Sequence, residues 1–232
     1  MLTNARIKHL KSLRDKKYRD EYGQFLVEGE KMVGEALESS FNVLEVIREE
    51  PGVMARISSL TTAPPVIAVL EKPARRQAGP VRDLCLALDS VRDPGNMGTL
   101  LRLADWFGIR SVFLSPDCVD IYNPKVVQAT MGSLFRVETF ICPLPEACSR
   151  FREAGMPVYG TFMDGESIYS ASLATEGLIV MGSESFGISA EVASQCSGRL
   201  HIPSFASGGR GPESLNVATA AAIVLSEFRR QR

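Results

Sequence analysis

Apolar and polar positions along the chain fall into two regimes, with a change near residues 71–80. In the first, the stretch up to about Tyr22 reads as a basic helix, and Gln24 to Val27 (QFLV) reads as a short strand. A helix follows from Glu28 or Gly29 to Leu37, with Met32, Val33 and Ala36 at helical spacing. Phe41 to Ile47 and Pro65 to Leu70 are predicted as further strands. Glu71 to Pro80, EKPARRQAGP, has the Pro, Gly and Arg content of a linker and separates expected domains at 1–75 and 80–232.

From Leu84 onward, strands alternate with helices. The predicted strands are Leu84 to Leu88, Ser111 to Leu114, Phe135 to Phe140, Val158 to Phe162, Leu178 to Met181 and Leu200 to Ile202. Helical stretches fall near 97–107, 123–132, 144–153, 188–194 and 215–230. This is the α/β pattern of a parallel sheet covered by helices on both faces. Ligands of such sheets lie outside the carboxyl ends of the strands, so the strand-to-helix loops carry the candidate chemistry.

Composition adds limits. The 232 residues are 45% apolar and 23% charged, ordinary for folded domains and enough for one large domain or a large and a small one. No apolar run reaches the roughly 18 residues that span a bilayer, and the N-terminus lacks the apolar core of a secretory signal. A cytoplasmic protein without membrane association is therefore expected. The five cysteines are scattered with no C-x-x-C, and the two histidines are His9 and His201, so neither a disulfide framework nor a metal site is suggested. The net charge of −1 conceals an asymmetry, because residues 1–20 hold Arg6, Lys8, Lys11, Arg14, Lys16, Lys17 and Arg19 against Asp15 and Asp20. Such a cluster suits phosphate, or a solvated helix face.

Three loops hold polar residues where a ligand is expected. The first, within DSVRDPGNMGTLLRLAD (89–105), has a turn at Asp93 to Gly95, Asn96 placed as an N-cap, and a stripe of Leu100, Leu103, Ala104 and Phe107 for the core. Arg102 lies off that stripe, either as a solvated arginine or as a cation that fixes phosphate. The second, GSESFGIS (182–189), offers Gly182 and Gly187 for close backbone approach and Glu184 as a carboxylate. In the third, a Ser, Gly and Arg-rich loop (204–212) leads to ESLNV, where Ser214 is the expected N-cap and Asn216 is left seeking a second partner.

Taken in order, DPGNMGTLLRLADWFGI (93–109), LIVMGSESFGIS (178–189) and IP followed by ESLNVATAAAIVLSE (213–227) resemble the signature of the SpoU/TrmH family of RNA ribose 2′-O-methyltransferases, within the SPOUT superfamily. More loosely, RDKKYRDEYGQFLVEGEKMVGEAL near the N-terminus is similar to the small L30e-like α/β substrate-binding domain of many members. The resemblance implies a C-terminal deep trefoil knot, a homodimer and an S-adenosylmethionine cofactor. By position, it implies cofactor contacts at Gly182, Ile202 and Leu215. The polar catalytic set it implies is Asn96, Arg102, Glu184, Ser214 and Asn216, with no metal.

The implied substrate is the ribose 2′-hydroxyl of structured RNA, with ribosomal RNA favoured over transfer RNA by the basic N-terminal segment and the L30e-like domain. Two departures stand out: the 204–212 loop, with Gly208, Gly209, Arg210 and Gly211, is longer than is usual in the family, and little chain separates Ile47 from Thr61. A non-catalytic RNA-binding protein on the same fold is one alternative, opposed by the intact polar set. A nucleotide-binding oxidoreductase is another, opposed by the missing glycine fingerprint after the first strand of the sheet.

Overall fold

The computed structural model describes residues 2–74, 82–206 and 213–231. In chain order, the first part comprises α1 (Asn4–Ser12), α2 (Lys16–Tyr22), β1 (Gln24–Glu28), α3 (Glu30–Glu38), β2 (Val43–Ile47), α4 (Pro51–Ile57) and β3 (Ile67–Glu71). After these come β4 (Leu84–Leu88), α5 (Pro94–Trp106), β5 (Ser111–Leu114), α6 (Pro124–Thr130), a 3-10 turn at Ser133–Phe135 and β6 (Glu138–Ile141). The chain continues through α7 (Leu144–Glu153), β7 (Val158–Ser167), β8 (Gly177–Met181), α8 (Ala190–Ala193), β9 (Gly198–His201) and α9 (Val217–Arg230). Two compact units result: Met1–Ala74 with Asp120–Arg136, and Arg75–Val119 with Val137–Arg232. The expected linker falls largely on residues 75–81, outside the described residues.

In the first unit, β1 and β2 each pair antiparallel with a central β3. The single helix expected before Tyr22 is two. Asp15 accepts the backbone N–H of Lys17 and starts a second helix, which Gly23 closes in the left-handed region at φ +61°. Helix α4 is unforeseen in the sequence because Pro51 reads as loop chemistry. It stands at the first helical position, where proline's missing N–H costs nothing.

Ile7, Leu10, Leu13, Leu26, Met54, Ile57 and Val69 form the core here. Asp120–Arg136 joins this unit through Asp120, which accepts from buried Arg19 at 2.7 Å, and through Tyr122 against Phe25 and Phe135 against Phe41. A buried charge of this kind is retained only with a partner and satisfied protons. Arg19 meets that condition, as its Nη1 also donates to the carbonyls of Leu13 and Arg14.

The second unit holds a six-stranded sheet in the order β6-β5-β4-β8-β7-β9, with every neighbouring pair parallel. All residues of β4 and β8 are buried, as strands covered on both faces must be. Cys85, Ala87, Leu178 and Val180 pack with Leu144, Cys148 and Phe151 of α7. Leu84, Leu86 and Ile179 are likewise buried, as are Leu100 and Ala104 of α5 and Ala221, Val224 and Phe228 of α9. From β4 the chain runs to β5 on one side, and from β8 it runs on to β9 on the other. The crevice at the carboxyl ends of β4 and β8 is thus a switch point, the position where open parallel sheets place their ligands.

Candidate active site

Two loops leave that crevice. The first is built rigidly. Asp89, 4% exposed, donates its N–H to the Met181 carbonyl at 2.9 Å, and its Oδ2 accepts the N–H of Ser189 at 2.8 Å, which ties the first loop to the second. Ser90 adopts φ +57°, a conformation non-glycine residues hold only when their surroundings demand it. The demand comes from Ser115, whose Oγ accepts the Ser90 N–H at 2.8 Å, and from Asp117, which accepts the Ser90 hydroxyl at 2.6 Å. Hydrogen bonds from Ser115 and Ser90 hold the Asp117 carboxyl at about 2, below its ordinary 3.8.

Asp93, not Asn96, caps α5: its Oδ1 accepts the backbone N–H of Asn96 at 2.8 Å. This corrects the sequence reading and frees the Asn96 side chain. Proline at the first helical position fixes the helix start one residue after Asp93.

The second loop folds on itself. Ser183 and Gly187 exchange backbone hydrogen bonds at 3.1 and 2.9 Å, and Gly187 turns at φ +67°. The loop backbone therefore passes so close to Gly182 that a Cβ there would lie 2.1 Å from the Gly187 carbonyl carbon. Glycine at 182 is a packing requirement of the loop itself. Glu184 stands exposed on the tip.

In the third segment Asn216, not Ser214, is the N-cap. Its Oδ1 accepts from Ala218 N at 3.0 Å and Thr219 N at 3.2 Å, and α9 begins at Val217. Its Nδ2 donates to Asn96 Oδ1 at 2.9 Å, and Asn96 Nδ2 donates in turn to Glu184 Oε1. The sequence question about Asn216 thus has its answer in one side chain with two partners. The hydrogen bonds run in a single direction from the α9 backbone to a carboxylate, so each polarises the next.

Of the five polar residues singled out in the sequence, the structure joins Asn96, Glu184 and Asn216. Arg102 and Ser214 are exposed and make no hydrogen bond or ion pair among the described residues. Arg102 lies six residues beyond Asn96, about 9 Å further along the α5 axis. Gly182 and Leu215 flank Glu184 and Asn216 in sequence, so the relay draws their chain segments together. Ile202 is partly buried just beyond β9, and Leu215 is 44% exposed. The extra glycines and Arg210 of the long loop fall on 207–212, outside the described residues.

Residues 182–189, 202–206 and 213–216 contain no Lys or Arg and two carboxylates, Glu184 and Glu213. Apolar side chains, backbone amides and carboxylates suit a ligand that carries a cationic centre and no phosphate, which fits S-adenosylmethionine better than a dinucleotide.

Residues 83–226 match the SpoU rRNA methylase family. The chain belongs to that family. Residues 4–78 of this SpoU protein also match the MRM3-like substrate binding domain. Among its relatives, the 23S rRNA (guanosine(2553)-2′-O)-methyltransferase RlmP of Bacillus subtilis is 30% identical, over 97% of this chain and 96% of RlmP. A TrmH-family structure from Porphyromonas gingivalis matches with a TM-score of 0.91 at 43% identity, over 100% of both chains. The SpoU methyltransferase AviRb from Streptomyces viridochromogenes, in complex with the cofactor AdoMet, matches with a TM-score of 0.87 at 28% identity, over 99% of this chain and 98% of AviRb.

Against the SpoU family background, the six-stranded parallel sheet is the expected one. Sequence reasoning passed over Asp89 and the Ser90, Ser115 and Asp117 group of this SpoU domain. The available signal was Asp89 itself, a carboxylate placed directly after the fully apolar LCLAL.

Proposed function

We propose that this protein is an S-adenosylmethionine-dependent methyltransferase acting on a ribose 2′-hydroxyl of ribosomal RNA. The relay from Asn216 through Asn96 to Glu184 is the observation that carries the reading, because it assembles polar groups from three separate loops at the sheet's switch point. Family membership and the names of the relatives give it its chemistry. When bound, S-adenosylmethionine supplies an electrophilic methyl group on a sulfonium. Gly182, Ile202 and Leu215 are the residues proposed to hold it.

What remains for the chain is to position the sugar and stabilise charge on its oxygen, the terms that dominate this class of reaction. Arg102 is proposed to hold a phosphate of the RNA and to stabilise developing charge on the 2′-oxygen. A guanidinium carries N–H donors and no acceptor, so the proton is assigned to water late in the reaction. Ser214, two residues before the cap and exposed, is free to donate to the sugar.

Residues 1–75 are proposed as the L30e-like substrate domain and residues 80–232 as the catalytic domain. The C-terminal segment is proposed to thread as a trefoil knot. Supporting this, α9 follows the edge strand β9, yet its cap residue Asn216 donates to Asn96 at the start of α5, which follows the central strand β4. A homodimer is proposed as the working form, to which the 85% exposed Trp106 of α5 lends support, and a cytoplasmic location is proposed with it. No group of residues able to hold a metal ion occurs among the described residues.

The test is incubation with methyl-labelled S-adenosylmethionine and unmodified 23S rRNA or tRNA, followed by digestion to nucleosides. Label in a 2′-O-methylnucleoside from rRNA is expected. Label confined to a base, or no transfer to either RNA, would contradict the reading.

A further inference from the structure

In the first unit, Tyr18 and Tyr22 of α2 stack with ring centroids 6.1 Å apart and 13° between their planes. His9 of α1 leans on Tyr22 at 4.5 Å and is itself held by Gln24, with His9 Nε2 3.0 Å from Gln24 Oε1. Rings assembled this way usually serve a core. Here Tyr22 is 42% exposed while Tyr18 and His9 are half-buried behind it, so Tyr22 carries most of the aromatic surface that faces solvent.

Charge around these rings is unevenly committed. Arg6 is paired with Glu45, Arg14 donates to the Ile57 carbonyl and Arg19 to Asp120. Asp20 is shared by Lys16 and Lys72, which leaves that trio with one net positive charge. Lys8, Lys11 and Lys17 are exposed and have no ion pair among the described residues. Lys17 Nζ sits 5.6 Å from the centroid of Tyr18, within reach of a cation–π contact. Exposed Asp15, the cap of α2, and Glu21 are the opposing carboxylates outside that trio, and the surroundings of the rings remain net positive.

Resting on the reading of RNA as substrate, we propose that Tyr18, Tyr22 and His9 form a stacking platform for an unpaired nucleobase of that RNA, with Lys8, Lys11 and Lys17 neutralising the adjoining phosphates. Every nucleobase has a π-face, so such a platform grips single-stranded RNA without reading its sequence. Structured RNAs expose splayed bases in loops and bulges, which aromatic side chains capture while cations hold the backbone. The platform would hold a flanking unpaired segment of the substrate, leaving selection of the modified sugar to the methyl-transfer site.

The experiment uses the full chain, with an unmodified 23S rRNA transcript and a short oligo(U) strand as probes, over a series of salt concentrations. Tyr22→Ala and Tyr18→Ala are expected to weaken both probes about tenfold or more, while Tyr22→Phe stays near wild type. Replacing Lys8, Lys11 and Lys17 by Gln together should flatten the dependence of log K on log salt by about 2, at about 0.7 per phosphate lost. Calorimetric affinity for S-adenosylmethionine should be unchanged in all of these variants. If the wild type binds RNA and all variants match it, the platform is overturned while the methyl-transfer reading stands. If the wild type neither binds nor methylates any RNA, both fall. Should Tyr22→Ala fail to fold, an unchanged salt slope in the exposed lysine variant overturns the platform.

Discussion

Asn216 donates from Nδ2 to Asn96 Oδ1 at 2.9 Å across 120 residues of chain, while its Oδ1 caps the helix that follows. One amide therefore fixes where α9 starts and where the first and third loops meet. Asn216→Asp separates the two tasks, because a carboxylate still accepts from Ala218 and Thr219 but cannot donate to Asn96. Thermal stability close to wild type is expected, with methyl transfer down on the order of tenfold to 100-fold. Asn216→Ala should lose the cap as well, at about 1 kcal/mol of stability. Equal activity of Asn216→Asp and wild type would count against the donor role.

Arg102 is exposed and without a partner among the described residues, so its replacement should leave the melting temperature unchanged. Arg102→Ala is expected to slow methyl transfer on the order of 100-fold through misplacement of the RNA. Arg102→Lys should recover only part of this, since it keeps the charge and loses the planar fork. Turnover of Arg102→Lys near that of wild type would defeat the orienting role.

Gly182 leaves no room for a side chain, with the Gly187 carbonyl carbon 2.1 Å from where a Cβ would be. Gly182→Ala should force the second loop apart, costing about 1–3 kcal/mol and weakening S-adenosylmethionine binding measured by calorimetry. Wild-type affinity in a folded Gly182→Ala protein would place the cofactor elsewhere.

Acid should loosen the first loop through Asp117. Its carboxyl titrates at about 2 in the fold against 3.8 ordinarily, so the fold gains stability from the ionised form. That contribution is fully present above about pH 4 and is lost as pH falls toward 2. With the side chain 45% exposed, solvent screening keeps the effect below about 1 kcal/mol. The melting temperature of Asp117→Asn should lie about 2 °C below wild type at neutral pH, and the gap should close between pH 4 and 2. A gap that widens on acidification would contradict this assignment.

Much of the catalytic unit was legible because its strands are buried on both faces. LCLAL and LIVM read as strands from apolar continuity alone, and the stripe through Leu100 and Ala104 pointed α5 at the core. The caps were misplaced for a physical reason. Asp93 and Asn96, like Ser214 and Asn216, are both competent caps; Asn96 gives its acceptor oxygen to Asn216 and leaves the cap of α5 to Asp93, whereas Asn216 enters that bond through its Nδ2 and keeps its Oδ1 for α9. The 120–136 segment shows a similar limit. Its helix is local, but the aromatic contacts of Tyr122 with Phe25 and of Phe135 with Phe41 that assign it to the first unit are long-range.

The central claim is that the three loops act as one device, and a double-mutant cycle on Asn96 and Asn216 in single-turnover methyl transfer tests it most directly. Groups that work through one hydrogen-bonded chain lose most of their effect at the first deletion, so the double Ala variant should be slower than the worse single variant by no more than about threefold. A double variant whose loss equals the product of the two single losses would mean that Asn96 and Asn216 act independently, and would contradict the account.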